Sequence, residues 1–148
     1  AAFHRLRPED IGTRIRYEGL EQLRAAHAEG KGVLLISGHF GHWELIAYMQ
    51  GFLGYPLLMI TKPMANPRLE TMLASLRSGS GNEIVAKADA IRPSLKALSR
   101  GMGVAVMIDQ DARGSGIFVP FFGRPSSTIP TVGTMHLRTG AAVVAAFS

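Results

Sequence analysis

Cysteine is absent from the 148 residues. That excludes disulfides, thiolate zinc sites and a cysteine nucleophile. No cluster of five or more Lys/Arg occurs, so the chain lacks the footprint of a nucleic-acid binder. Long hydrophobic runs are missing too. The longest apolar stretch, Leu45 to Ile60, is broken by Gln50, Gly51, Gly54 and Pro56, short of the roughly 20 apolar residues a membrane span needs. There is no signal-peptide pattern, internal repeat, low-complexity tract or linker. The length suits one domain, residues 1–148.

What is present is a globular composition. The chain is 47% hydrophobic and 18% charged, with a mean hydropathy of +0.15. Residues 1–30 carry five basic and five acidic side chains, whereas residues 31–148 carry eleven basic and six acidic. The net +5 therefore lies entirely in the later part. It favours an anionic partner, such as phosphate, acidic protein, anionic lipid or nucleic acid, the last weakened by the lack of a Lys/Arg cluster.

Strand and helix signals alternate. Tyr17–Glu29 reads as a helix with Gly30 after it, and Val33–Ser37 as a buried strand. Trp43–Phe52 reads as a helix and Leu57–Thr61 as a strand. Asn66 and Pro67 supply an N-cap and an N1 proline. Leu69, Met72, Leu73 and Leu76 follow at helical spacing, with Gly79 closing. Then come a strand at Glu83–Ala86, a helix at Asp89–Ser99 and a strand at Gly103–Ile108. Ile91, Leu95 and Leu98 line one face of that helix. Ile117–Pro120 reads as a short edge strand, Thr128–Arg138 as a helix and Ala141–Phe147 as the last strand. The alternation predicts an α/β fold with a largely parallel central sheet flanked by helices. The chain starts at Ala1 and stops just past a strand-like run, so it is expected to be a fragment of a longer one.

Parallel sheets place chemistry at the C-terminal ends of their strands. Two polar clusters fall there. Ser37-Gly38-His39-Phe40-Gly41-His42-Trp43-Glu44 follows the first strand. With His39 on a glycine turn before the helix, its ring can fold back toward Glu44, which would fix the tautomer and leave a nitrogen free as base. The alternatives are histidines that cap the helix or fill the core, or His39, His42 and Glu44 as metal ligands, although their spacing fits no zinc helix motif.

Asp109-Gln110-Asp111 follows the strand Gly103–Ile108. Such a pair can bind a divalent cation, share a proton or tie down the loop at 112–116. Burying Asp109 unpaired is costly, so a basic partner is expected, with Arg77, Arg113 and Arg124 as candidates. The stretch from Gly116 to Pro125 holds Phe118, Phe121, Phe122 and Arg124. It reads as a stiff apolar loop that could line a hydrocarbon pocket with Arg124 at its mouth, or simply cover the core. His4, His27 and His136 read as structural.

In order, Lys31-Gly32-Val33-Leu34-Leu35-Ile36-Ser37-Gly38-His39, His39 to Glu44 as H-x4-E, Lys62-Pro63-Met64-Ala65-Asn66-Pro67, Leu76-Arg77-Ser78, Asp109-Gln110-Asp111, Phe118 to Pro125 and Thr139-Gly140-Ala141 resemble the bacterial lipid A biosynthesis (lauroyl/myristoyl) acyltransferases. These belong to the wider lysophospholipid-acyltransferase group. The resemblance covers roughly residue 15 onward. It implies a glycerolipid-acyltransferase-like fold and acyl transfer from a thioester, on acyl carrier protein or acyl-CoA, to a hydroxyl of a membrane glycolipid such as a lipid A precursor. It implies His39 as general base with Glu44, supported by Arg77 and Asp111. The substrate would lie near Gly38, Gly41, Asp109, Phe121, Phe122 and Arg124. No metal or other cofactor is implied. An anionic membrane surface is an expected partner, and the cytoplasmic face of the bacterial inner membrane the expected location. Two other readings stay open: a metal-dependent hydrolase using His39, His42, Glu44, Asp109 and Asp111, and a non-catalytic lipid-binding module.

Overall fold

The structure, a computed structural model, describes residues 5–148. His4 lies outside the described residues. In chain order the elements are α1 (Leu20–Ala28), β1 (Val33–Ser37), α2 (Trp43–Phe52), β2 (Leu57–Thr61), α3 (Pro67–Ser78), β3 (Glu83–Ala86), α4 (Ile91–Ser99), β4 (Gly103–Met107), β5 (Ile117–Phe121), β6 (Arg124–Thr128), α5 (Thr131–Thr139) and β7 (Ala142–Ala145). Five strands form one sheet in the order β3-β2-β4-β1-β7, and every pairing within it is parallel. The expected α/β architecture is therefore present.

The strand residues explain the layering. Successive side chains of a strand point to opposite faces. On one face Leu34, Leu58, Val104 and Val106 pack with Ala97 and Leu98 of α4 and Met135 of α5. On the other, Val33, Leu35, Leu57 and Met59 pack with Leu23 and Ala26 of α1 and Ala47 of α2. Central strands covered on both sides need continuous apolar runs rather than alternation, and β1, β2 and β4 have them. Inside the second layer Asn82 is buried and bridges two elements. Its Oδ1 accepts from Leu57 N–H at 2.9 Å, and its Nδ2 donates to the Ala47 carbonyl at 2.8 Å.

Some boundaries differ from expectation. α1 begins at Leu20, not Tyr17, because Gly19 takes a left-handed φ of 76° at the N-cap. Lys87–Asp89 forms a 3-10 turn ahead of α4, which leaves Ile91 half-exposed at the sheet rim rather than in the core. The largest difference lies between residues 117 and 128. β5 and β6 pair antiparallel as a separate hairpin, with Phe121 opposite Arg124. The stretch expected as an edge strand followed by loop is a hairpin, and α5 starts three residues later than expected. The turn Phe122-Gly123 lacks the Asn-Gly signal that marks such hairpins.

Candidate active site

Because all five strands run parallel, their C-terminal ends share one rim. β1 delivers His39 there, and its neighbour β4 delivers Asp109. The His39 Nδ1 lies 2.8 Å from Asp109 Oδ1, and the His39 backbone N–H donates to Asp109 Oδ2 at 2.5 Å. One carboxylate thus holds both the ring and the backbone of the same residue. Trp43 meets the imidazole edge-on, with ring centroids 5.2 Å apart. Gly38 makes room for this contact, since a Cβ at that position would sit 3.2 Å from Asp109 Oδ2.

Glu44 is elsewhere. It lies in the first turn of α2 and receives a two-pronged ion pair from Arg77 in the last turn of α3, with Nη2 2.5 Å and Nε 3.1 Å from Oε1. Both side chains are mostly buried, at 12% and 18% exposed. The expected His39–Glu44 pair is therefore replaced by two pairs, His39–Asp109 and Glu44–Arg77. The reason is geometric. α2 begins only at Trp43, with His42 at its N-cap and Gly41 in a left-handed turn. Glu44 faces α3, while the loop bearing His39 lies against β4. Asp109 has an imidazole as partner rather than Arg77, Arg113 or Arg124.

The other expected residues scatter. Asp111 Oδ1 accepts from Arg113 N–H at 2.8 Å, so it ties down the following loop, one of the roles read for it. Gly41 is an exposed turn glycine. Phe121, Phe122 and Arg124 stand on the exposed hairpin end and do not line the pocket beside His39. Among the described residues no three His, Asp or Glu side chains converge as a metal would require. Of the residues in the hydrolase reading, His39 pairs with Asp109, Glu44 with Arg77 and Asp111 with the Arg113 N–H. His27 stacks on Tyr55 at 4.4 Å, and His136 Nδ1 contacts the Ala141 carbonyl at 2.9 Å. Burial lowers the pKa of His27.

The pocket has a volume of about 350 Å³. Leu35, Ile46, Met59 and Ala105 give it an apolar floor, and His39 and Trp43 stand in its wall. Its ionisable lining residues are His39, Lys62, Arg77 and Lys87, with no carboxylate among them. Lys87 and Trp43 had not been singled out, although Lys62 and Lys87 each directly follow a strand, the position where parallel sheets put their chemistry. A larger hollow of about 450 Å³ between α1, α2 and β7 contains none of His39, Asp109, Glu44 and Arg77.

Partial desolvation pushes the Asp109 carboxyl upward, but the His39 hydrogen bonds outweigh it and hold the group below the ordinary 3.8. A carboxyl lowered by folding stabilises the fold above its unfolded value, and that stabilisation fades as pH falls through the folded one. Asp109→Asn should therefore lower Tm at pH 7, by about 2 °C because the contact is open to water. The gap between variant and parent should narrow as pH falls below the ordinary 3.8 and through the lowered folded-state value. Thermal melts across that range check it, and a gap independent of pH would contradict it.

Residues 2–148 match the family model for bacterial lipid A biosynthesis acyltransferase. A lipid A biosynthesis acyltransferase of Haemophilus influenzae is 27% identical over 135 residues, 90% of this chain and 42% of that protein. The lipid A biosynthesis myristoyltransferase of Escherichia coli is 24% identical over 141 residues, 95% of this chain and 44% of its own length. A phosphatidylinositol mannoside acyltransferase of Mycobacterium tuberculosis is 25% identical over 130 residues, 85% of this chain and 41% of its own. The chain thus spans less than half the length of these curated relatives. With the match running across nearly every residue, the chain belongs to the bacterial lipid A biosynthesis acyltransferase family.

Proposed function

We propose that this chain carries the acyl-transfer centre of an enzyme that moves a fatty acyl group from a thioester to a hydroxyl of a membrane glycolipid. The observation that carries the reading is His39, held by Asp109 through Nδ1, at the wall of an apolar pocket whose charged lining is entirely basic. With Nδ1–H donated to the carboxylate, Nε2 is the nitrogen left to accept a proton. The acceptor hydroxyl gives its proton to Nε2 as its oxygen attacks the thioester carbonyl. The tetrahedral oxyanion collapses, the C–S bond breaks and the departing thiolate takes the proton back from the imidazolium. No covalent enzyme intermediate is needed, so the absence of cysteine is no obstacle.

The apolar floor suits an acyl chain. Lys62, Arg77 and Lys87 suit the phosphate of a phosphopantetheine-bearing donor, acyl carrier protein or acyl-CoA, or that of the acceptor. Relatives named for lipid A and for phosphatidylinositol mannoside make a phosphorylated glycolipid the acceptor class, with a lipid A precursor first. Work at the cytoplasmic face of the inner membrane fits the same reading.

The test is free-thiol release from acyl-CoA and from acyl carrier protein, with and without extracted bacterial glycolipid. It should be run on the whole protein. Release that depends on acceptor is the expected result. Release driven by water alone, and inhibited by chelator, would favour the metal-hydrolase reading. Lipid binding without any release would favour the binding-module reading.

A further inference from the structure

The β5–β6 hairpin is built in a way that core packing does not explain. Its two-residue turn is Phe122-Gly123, with φ of 47° at Phe122 and 75° at Gly123. Left-handed backbone at a bulky residue is costly, and Asn or Gly is the ordinary occupant. The ring held there is 92% exposed, and Phe121 and Phe118 are 64% and 75% exposed. Phe121 and Phe122 touch edge-to-face with centroids 4.7 Å apart. Strain kept in order to present aromatic rings to solvent points to a function for those rings.

The surroundings say what they meet. Residues 112–130 contain two arginines, Arg113 and Arg124, and no acidic residue. Pro120 stands opposite Pro125. In a hairpin closed by a two-residue turn this pair is the non-hydrogen-bonded one, whose N–H groups would point outward. Two prolines there cost no ladder bond and leave no outward donor to desolvate. The hairpin also springs from the pocket wall: Gln110 precedes it and Ile129 follows it, and both line the pocket. Its root is tied to the loop after Asp109 by Ala112 N–H donating to the Ser127 carbonyl at 3.1 Å. On the same rim stand Lys62, Lys87 and the exposed Phe40, Met64 and Ile91.

We propose that this hairpin docks the rim onto an anionic lipid bilayer, with Phe121 and Phe122 entering the headgroup–acyl boundary and Arg113 and Arg124 engaging lipid phosphates. The pocket mouth is then held at the depth where a lipid hydroxyl lies. The proposal deepens the acyltransferase reading and rests on it only for what enters the pocket. Vesicle binding needs no turnover, so either can fail alone.

Because these 148 residues hold no cysteine, one can be placed at the hairpin by Pro125→Cys and another on the opposite rim by Glu29→Cys. Each is labelled with an environment-sensitive fluorophore. Vesicles of phosphatidylethanolamine and phosphatidylglycerol should shift the emission of the label at 125 to the blue and leave that at 29 unchanged. In the unlabelled protein, Phe121→Ser with Phe122→Ser should weaken co-sedimentation with these vesicles about tenfold or more. Arg124→Gln should weaken it about fivefold, a difference that high salt removes. Circular dichroism and Tm of each variant should match the parent, since these side chains are exposed. No shift at 125, equal shifts at both positions, or sedimentation of the double variant like the parent would overturn the proposal. So would equally tight binding to phosphatidylcholine alone, or a shift at 125 produced by acyl carrier protein without vesicles.

Discussion

Replacing His39 with alanine is expected to reduce acyl transfer by about a hundred- to ten-thousandfold, the range removed with a positioned general base. The fold should survive. The ring is 39% exposed, its Asp109 partner 40%, and neither belongs to the packed layers on the sheet. What is lost is the ring that Asp109 and Trp43 hold in place, and with it the nitrogen proposed to take the acceptor proton. Donor binding should change little, because the apolar floor and Lys62, Arg77 and Lys87 are untouched. The measurement is acceptor-dependent thiol release under saturating donor, with Tm alongside. A variant that keeps its Tm and its full rate would remove His39 from the reaction.

The second large effect concerns Glu44. Glu44→Ala should destabilise the protein by about 3 kcal/mol, the low end of the range for breaking a buried ion pair, because both partners retain some contact with water. The loss arises from the Arg77 guanidinium left without its carboxylate between α2 and α3. Transfer should fall as well, since Arg77 lines the pocket and Glu44 fixes where it stands. Glu44→Gln should recover part of the stability, because an amide oxygen still accepts from Arg77. The pair of variants separates two roles. A carboxylate that tunes the histidine would affect rate and leave stability intact. One that holds an arginine affects both. Chemical denaturation paired with thiol release distinguishes them, and Glu44→Ala with unaltered stability would contradict the structure.

Much of the architecture could be read from the residues. Gly32 and Gly38 bracket the run of β1, and Asn66-Pro67 opens α3: Asn66 Oδ1 accepts from Arg68 N–H at 3.0 Å. Both polar clusters were found from a single rule, that chemistry follows parallel strands. What could not be read was who pairs with whom. The interval from His39 to Glu44 is local and looks like a bond. Asp109 lies 70 residues further on, and only the pairing of β1 with β4 brings it in. The β6 strand was hidden for a different reason. Ser126, Ser127 and Thr128 carry no apolar alternation, since a hairpin standing clear of the core has no buried face to encode. The placement of Phe121, Phe122 and Arg124 at the pocket follows from the same missed turn.

The separation of His39 from Asp109 also sets the order in which the protein can become competent. The first strand waits for partners that arrive much later, β4 on one side and β7 on the other. Non-local pairings of this kind close large loops and form slowly. A nascent chain that has emerged only as far as α4 holds His39, Glu44 and Arg77 yet has no carboxylate for the imidazole. The contact between His39 and Asp109 is therefore a clock for the docking of β4 beside β1, and it will lag any signal that reports helix formation.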